Sequence, residues 1–310
     1  MPELPEVETT ARMLNERVKG LVIKDVWTDY DSSFNKGKGN IKDKNYFPFF
    51  KKEVAGKRIL NVTRRAKNVL INVSPINHGL KKNKTILIHM KMTGHLLYGK
   101  YKKEENKWFP IEEGSLKDPF NRFVHFVFIL SNGKHLVLSD TRKFAKVYVF
   151  DTEKFKDIGD LSKLGPEPLE KKFDYKTFRE RINLRPRGKI KTVLMDQEII
   201  AGIGNIYSDE VLWETSIHPA TLVKDIYDNK LKNLLKNIKA TLQKSIEVGG
   251  DSMSDYRNPE GEKGGYQNIH KVYRRTGEKC QKKGCEGTIR KIKIGGRSAH
   301  YCDRHQILNK

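Results

Sequence analysis

A chain of 310 residues is long enough for about two domains with cores of their own, and a hydrophobic content of 37% suffices to fill them. Its 61 Lys and Arg against 38 Asp and Glu leave a formal charge of +23; with no apolar run near the roughly 18 residues that span a bilayer, the expected partner is nucleic acid, not a membrane. The start lacks the apolar stretch of a secretion signal, and the only three cysteines fall in the last 31 residues, so the sequence reads as an intracellular (cytoplasmic or nucleoid-associated) protein without a disulfide framework.

In chain order, "MPELPEVETT" leads into a segment where Val7, Ala11, Leu14 and Val18 recur at helical spacing, with Gly20 as a stop. From about residue 21 to 150 the pattern changes to short β-prone runs: "LVIKDVW", "RILNV", "NVLINV", "TILIHMKM", "RFVHFVFIL", "KHLVLSD" and "KVYVF". Asn132-Gly133 between two of them is a hairpin signal. Seven or so strands predict an antiparallel β-sandwich that, with the first helix, fills residues 1–151. Lysine-rich pieces near 31–46 and 99–107 read as surface insertions. Gly165-Pro166 and Pro168 mark a linker over 152–171. Beyond it the chain turns helical over 172–270; Leu231, Leu235, Ile238, Leu242 and Ile246 form one stripe that Gly249-Gly250 ends, and a polar loop follows over 251–270. A basic, glycine-punctuated tail occupies 271–310. The predicted class is α+β.

Three places carry chemistry. If Met1 is removed, Pro2 presents a secondary amine beside Glu3 and Glu6. An α-amine titrates near 7.7–8.0, far below lysine, so a usable share is neutral near pH 7. The residues alone leave open whether this is chemistry or an acidic, frayed chain end. In the tail, Cys280, Cys285, Cys302 and His305 give C-x4-C-x16-C-x2-H, the spacing of one structural Zn²⁺ held by four soft ligands; His300 lies nearby, but the x2 spacing favours His305. The "AGIGNIYSDE" stretch predicts a glycine turn opening a helix through Leu212, with backbone N–H groups suited to an anion.

"MPELPEVET", "LMDQEIIAGIGNIYSDEVLWETSIHP" and the cysteine-bearing tail with "GGR" together resemble the formamidopyrimidine-DNA glycosylase/endonuclease VIII family, most closely its 8-oxoguanine branch. The resemblance covers nearly the whole chain in the family's order. It implies a catalytic β-sandwich, a helix–two-turn–helix DNA-binding domain and a β-hairpin zinc finger. It also implies a monomer that acts on double-stranded DNA containing oxidised bases or abasic sites, excising the base and nicking by successive β- and δ-elimination. By the resemblance Pro2 is the nucleophile that forms a Schiff base, Glu3 the general acid, Glu6 a supporting carboxylate, and Lys67 a phosphate contact that assists catalysis. Met92 and Phe144 are wedges that refill the stack after base flipping, and Arg142 faces the orphaned base. Thr141 and Lys143 depart from the proline and arginine usual beside them. Lys191 and Asn205 are implied to hold the phosphates flanking the lesion, and Arg297 to clamp DNA backbone. The 251–270 loop is implied to cover the flipped base, with Asp255, Tyr256 and Tyr266 as candidate contacts, although Ser254 stands where an arginine is common. Leu4 favours the purine branch over the pyrimidine branch, which usually has glycine there. Two other readings stay open: an enzyme for oxidised pyrimidines, and a non-catalytic zinc-dependent DNA-binding protein. An RNA-binding module fits less well, because the aromatic stacking motifs of single-strand readers are absent.

Overall fold

The computed structural model describes residues 1–31, 33–75 and 82–308, and it divides into two compact units. The first comprises Met1–Ser162 with Val248–Gly265, the second Lys163–Glu247 with Tyr266–Lys310.

Helix α1 (Leu4–Val18) opens the first unit, and the stripe of Val7, Ala11, Leu14 and Val18 is buried as its spacing requires. The strands are β1 (Ile23–Thr28), β2 (Lys57–Arg65), β3 (Asn68–Pro75), β4 (Lys84–His89), β5 (His95–Gly99), β6 (Tyr101–Glu104), β7 (Lys107–Pro110), β8 (Val124–Leu130), β9 (His135–Ser139) and β10 (Lys146–Asp151). Helix α2 (Phe47–Val54) precedes β2, and α3 (Gly159–Ser162) closes this stretch. Two four-stranded antiparallel sheets form, in the orders β1-β8-β9-β5 and β10-β4-β3-β2. Phe126, Phe128, Leu136 and Leu138 of one sheet share a single core with Val69, Ile71, Ile86 and Ile88 of the other, and α1 and α2 pack into it. This is the expected sandwich. Helix α2 and strand β5 are additions, since "FPFFKK" looks β-prone by its aromatics and "HLLYG" is short and ends on glycine.

Both lysine-rich insertions are structured over their described residues. In the first, Ile41 is fully buried and donates its N–H to Val147 O at 3.0 Å, while Asp43 accepts the N–H groups of Gly37 and Asn45. The second is the β6–β7 hairpin, whose Tyr101 and Trp108 cover Leu97, Val127 and Val137 on the outer face of a sheet.

The sequence groups 251–270 with the helical part, whereas Val248–Gly265 belongs to the first unit. Buried Arg257 is one of the contacts that hold it there. Its Nε donates to Asp118 Oδ2 at 3.1 Å, Nη1 donates to the carbonyls of Ser254 and Tyr256, and its guanidinium lies over the Phe120 ring. A buried guanidinium needs all of these partners to offset its desolvation.

The second unit contains α4 (Tyr175–Ile182), α5 (Ile190–Met195), α6 (Asn205–Glu214), α7 (Asp228–Glu247) and the antiparallel hairpin β11 (Ile289–Ile294) to β12 (Arg297–Cys302). The α7 stripe from Leu231 to Ile246 is buried. The stretch read as a linker is ordered: Gly165 N–H donates to Gln197 O and Ala201 N–H to Pro166 O, so "LGPEP" braces the turn before α6. A Cβ on Gly165 would come within 2.6 Å of Glu198 O, which requires glycine there.

Candidate active site and metal centre

Pro2 and Glu3 are buried at the start of α1, with Glu3 as its N-cap. Glu6, 1% exposed, uses both oxygens: Oε2 accepts the Glu3 N–H at 2.7 Å and Oε1 accepts the Asp251 N–H at 2.8 Å. The carboxylate thus ties the chain's first residues to the Val248–Gly265 segment. Gly250, at φ +83, lies so close that a Cβ there would meet Glu6 atoms at 3.0 Å. Arg64 closes the other side. It donates to Glu8 Oε2 at 2.7 Å and to Ala66 O at 3.0 Å, which joins α1 to the β2–β3 tip. Burial alone would raise the Glu8 carboxyl, but the hydrogen bonds and charges of Arg64 and Arg12 outweigh it and hold the group below its ordinary value.

Lys67 sits at that tip, buried, after Ala66 at φ +52. His89, paired with Asn68 across β3 and β4, is its neighbour. Burial first, then the Lys91 and Lys67 charges, push His89 down to about 3, so the ring is neutral at physiological pH. Its Nδ1 accepts the Lys91 N–H at 3.0 Å, which leaves Nε2 to carry the proton and act as a donor. Sequence reading passed over His89; the "IHMKM" alternation marks it only as one face of a strand.

Met92 and the Arg142–Phe144 loop come together through a second carboxylate that sequence reading also missed. Asp140 is fully buried. It accepts from Thr93 Oγ1, from Arg142 N–H and, at 2.7 Å, from Ala145 N–H. Arg142 N–H also donates to Thr93 Oγ1 at 3.1 Å. One buried acceptor therefore fastens the turn carrying Met92 to the loop carrying Arg142 and Phe144. The Phe144 ring is 46% exposed under the Arg142 guanidinium at 4.5 Å, an apolar plane and a cation presented to solvent.

In the second unit, Gln197 shapes the turn ahead of α6: Nε2 donates to the carbonyls of Met195 and Ile203, and Oε1 accepts the Gly202 N–H. Asn205 then begins the helix with its Oδ1 buried and unpartnered among the described residues. The backbone N–H groups at this helix N-terminus suit an anion. Lys191 does not fit the phosphate role expected for it. It is 0% exposed, and its Nζ is held inside the unit by Asp209 Oδ1 at 2.5 Å, Ser208 Oγ at 3.2 Å and Asn205 O. Asp209 Oδ2 in turn accepts from His300 N–H and lies 2.9 Å from His300 Nδ1. Lys191 therefore positions α6 from within. Arg297 lies exposed at the start of β12, after Gly295 and Gly296 at φ +55 and +77.

Cys280, Cys285, Cys302 and His305 converge, their ligand atoms all within 4.8 Å of one another. The Cys285 and Cys302 sulfurs are 3.5 Å apart, near the roughly 3.8 Å separation of two ligands on a tetrahedral zinc with bonds of about 2.3 Å. His305 Nε2 is buried without a hydrogen-bond partner among the described residues. The donor set fits one structural Zn²⁺. His300 is occupied by Asp209 and stays outside the cluster.

Known proteins resemble this chain over nearly its whole length. The family model for the formamidopyrimidine-DNA glycosylase N-terminal domain matches residues 1–147, and that for the formamidopyrimidine-DNA glycosylase H2TH domain matches 164–257. The formamidopyrimidine-DNA glycosylases of Pelotomaculum thermopropionicum and Bacillus subtilis are each 34% identical, over 97% and 99% of this chain and 98% and 99% of their own. This chain belongs to the formamidopyrimidine-DNA glycosylase family. Among solved structures, Lactococcus lactis Fpg with DNA containing an abasic site has a TM-score of 0.79 at 31% identity, covering 99% of this chain and 100% of that one. MutM with DNA containing carbocyclic 8-oxo-G has the same score and identity, covering 98% and 99%.

As a member of the glycosylase family, this chain departs from the expected base contacts. Tyr256 is 4% exposed; its hydroxyl donates to Glu6 O at 3.0 Å and lies 3.3 Å from Thr10 Oγ1, so it docks the segment on α1 and presents no surface to a base. Tyr266 is 4% exposed and packs its ring between Tyr207 and His270 in the second unit. Asp255 stays partly exposed beside Met253 and Ser254, which are exposed.

Proposed function

We propose that this chain is a bifunctional DNA glycosylase and abasic-site lyase of base excision repair, acting on oxidised purines, 8-oxoguanine and formamidopyrimidines, through the amine of Pro2. Family membership and structural likeness to Fpg bound to Fapy-dG DNA support the glycosylase reading. The observation that carries the mechanism is the buried pair at the start of α1, where Pro2 precedes the Glu3 cap and Glu6 pins the Glu3 backbone.

With Met1 removed, the Pro2 nitrogen attacks the sugar C1′ and the bond to the base breaks, the base leaving with a proton. Glu3 delivers a proton to O4′ as the ring opens, and the nitrogen lone pair forms an iminium. That cation acidifies C2′–H. Loss of this proton expels the 3′ phosphate, and a second elimination expels the 5′ phosphate. Lys67, Asn205 and Arg297 bind phosphates. Met92 and Phe144 fill the gap in the stack, and Arg142 meets the unpaired base. The zinc, once bound by the three cysteines and His305, is structural and fixes the hairpin that carries Arg297.

Borohydride added during incubation with an 8-oxoguanine·cytosine duplex should trap a covalent protein–DNA adduct. One extra residue ahead of Pro2 should abolish both adduct and strand scission. Scission that persists in the extended protein sinks the Pro2 mechanism, and binding with neither adduct nor scission in the wild type supports the non-catalytic reading. A solved Lactococcus lactis Fpg complex contains an oxidised pyrimidine, so a thymine glycol duplex belongs in the same assay. Preferential nicking of it would assign the chain to pyrimidines.

A further inference from the structure

His305 offers the metal only one of its two ring nitrogens. Its Nδ1 lies 3.1 Å from Ser216 Oγ, which leaves the buried Nε2 free for the cluster. Ser216 stands just beyond α6 at φ +54, a left-handed backbone that turns its side chain back under the helix end. Lys282 holds it there: Nζ donates to Ser216 Oγ at 2.8 Å and to Glu214 O at 2.9 Å, and it also reaches Trp213 O. The serine oxygen has two lone pairs and one hydrogen. An ammonium can only donate, so Lys282 takes one lone pair and leaves the second lone pair and the hydroxyl hydrogen to be shared among Ser216's other neighbours, His305 Nδ1 included.

We propose that Ser216, oriented by Lys282, is a positioning residue for the metal. It accepts the Nδ1–H of His305, fixes that tautomer and leaves the Nε2 lone pair as the fourth ligand. In the reverse arrangement the serine hydroxyl donates to Nδ1, the ring proton sits on Nε2 facing three sulfurs, and no nitrogen remains for the ion. Three thiolates on a divalent ion carry one net negative charge, which the Lys282 ammonium beside the site offsets. Partners of this kind, beyond the ligands themselves, orient the ring and tune affinity. The metal site therefore includes the end of α6, the helix whose first residue is Asn205.

The test is zinc affinity of the full chain, measured by chelator competition in the wild type, Ser216→Ala and Ser216→Gly. Both variants should bind zinc about 10- to 100-fold more weakly. Unchanged affinity in both overturns the proposal. So does loss in the alanine variant with recovery in glycine, because that assigns the effect to backbone strain at φ +54. A long-range proton–nitrogen spectrum of the zinc-loaded wild type needs no variant to fold. It should show His305 protonated at Nδ1 and metal-shifted at Nε2, and the opposite assignment overturns the proposal.

Discussion

Glu6 shows how one side chain can join remote parts of a sequence. Both of its oxygens accept backbone N–H groups, one of them from Asp251, 245 positions away. Glu6→Gln replaces one acceptor with a donor that then faces a backbone N–H. We expect a loss of about 1–3 kcal/mol in urea unfolding, since a buried donor is left unpaired. We also expect lower kcat with a smaller change in KM, because the start of α1 is loosened while the proposed phosphate contacts are untouched. Equal stability of variant and wild type would contradict the assignment. The cluster of Pro2, Glu3 and Glu6 was legible because it is contiguous. The Asp251 partner was not, since nothing in a linear pattern pairs residues so far apart. Asp140 escaped for a related reason: an aspartate after a strand reads as a turn residue until its three donors are seen.

At the scale of elements, α6 is held from below by the Lys191–Asp209 pair. Lys191→Met should cost roughly 3 kcal/mol, because it takes the cation from Asp209 Oδ1 and leaves the buried carboxylate only its His300 contacts. The slope of log Kd against log salt should nevertheless match the wild type. A slope shallower by about 1 would mean that Lys191 neutralises a phosphate after all. Helices α1, α6 and α7 were readable because each has a start or stop signal or an apolar stripe. Which way a lone lysine points was not, because the sequence "IKTVLM" sets Lys191 among apolar neighbours without showing that Asp209 waits inside. The β6–β7 hairpin reads as a surface insertion on the strength of its lysines, while Tyr101 and Trp108 do the packing.

For the whole molecule, metal and core stability should separate. Beyond its ligands, the tail is anchored to α6 by Glu210, which accepts the N–H groups of Lys271, Val272 and Tyr273, and by His300 on Asp209. Chelation should therefore weaken DNA binding at least tenfold while the main calorimetric transition moves little. Collapse of the whole transition on chelation would show that the second unit depends on the ion for its core. The broad α+β plan and the convergence of Cys280, Cys285, Cys302 and His305 were legible from periodicity and spacing. The membership of Val248–Gly265 was not, because it rests on Arg257 and Tyr256 finding partners in the connection between β7 and β8 and in α1.

That returning segment also bears on biosynthesis. The first unit lacks Arg257, Tyr256 and the partner of Glu6 until residues past Gly265 have left the ribosome, so most of the second unit's helices emerge before the first is complete. A nascent chain halted near residue 162 holds every strand of the sandwich but not the clasp over its N-terminal helix.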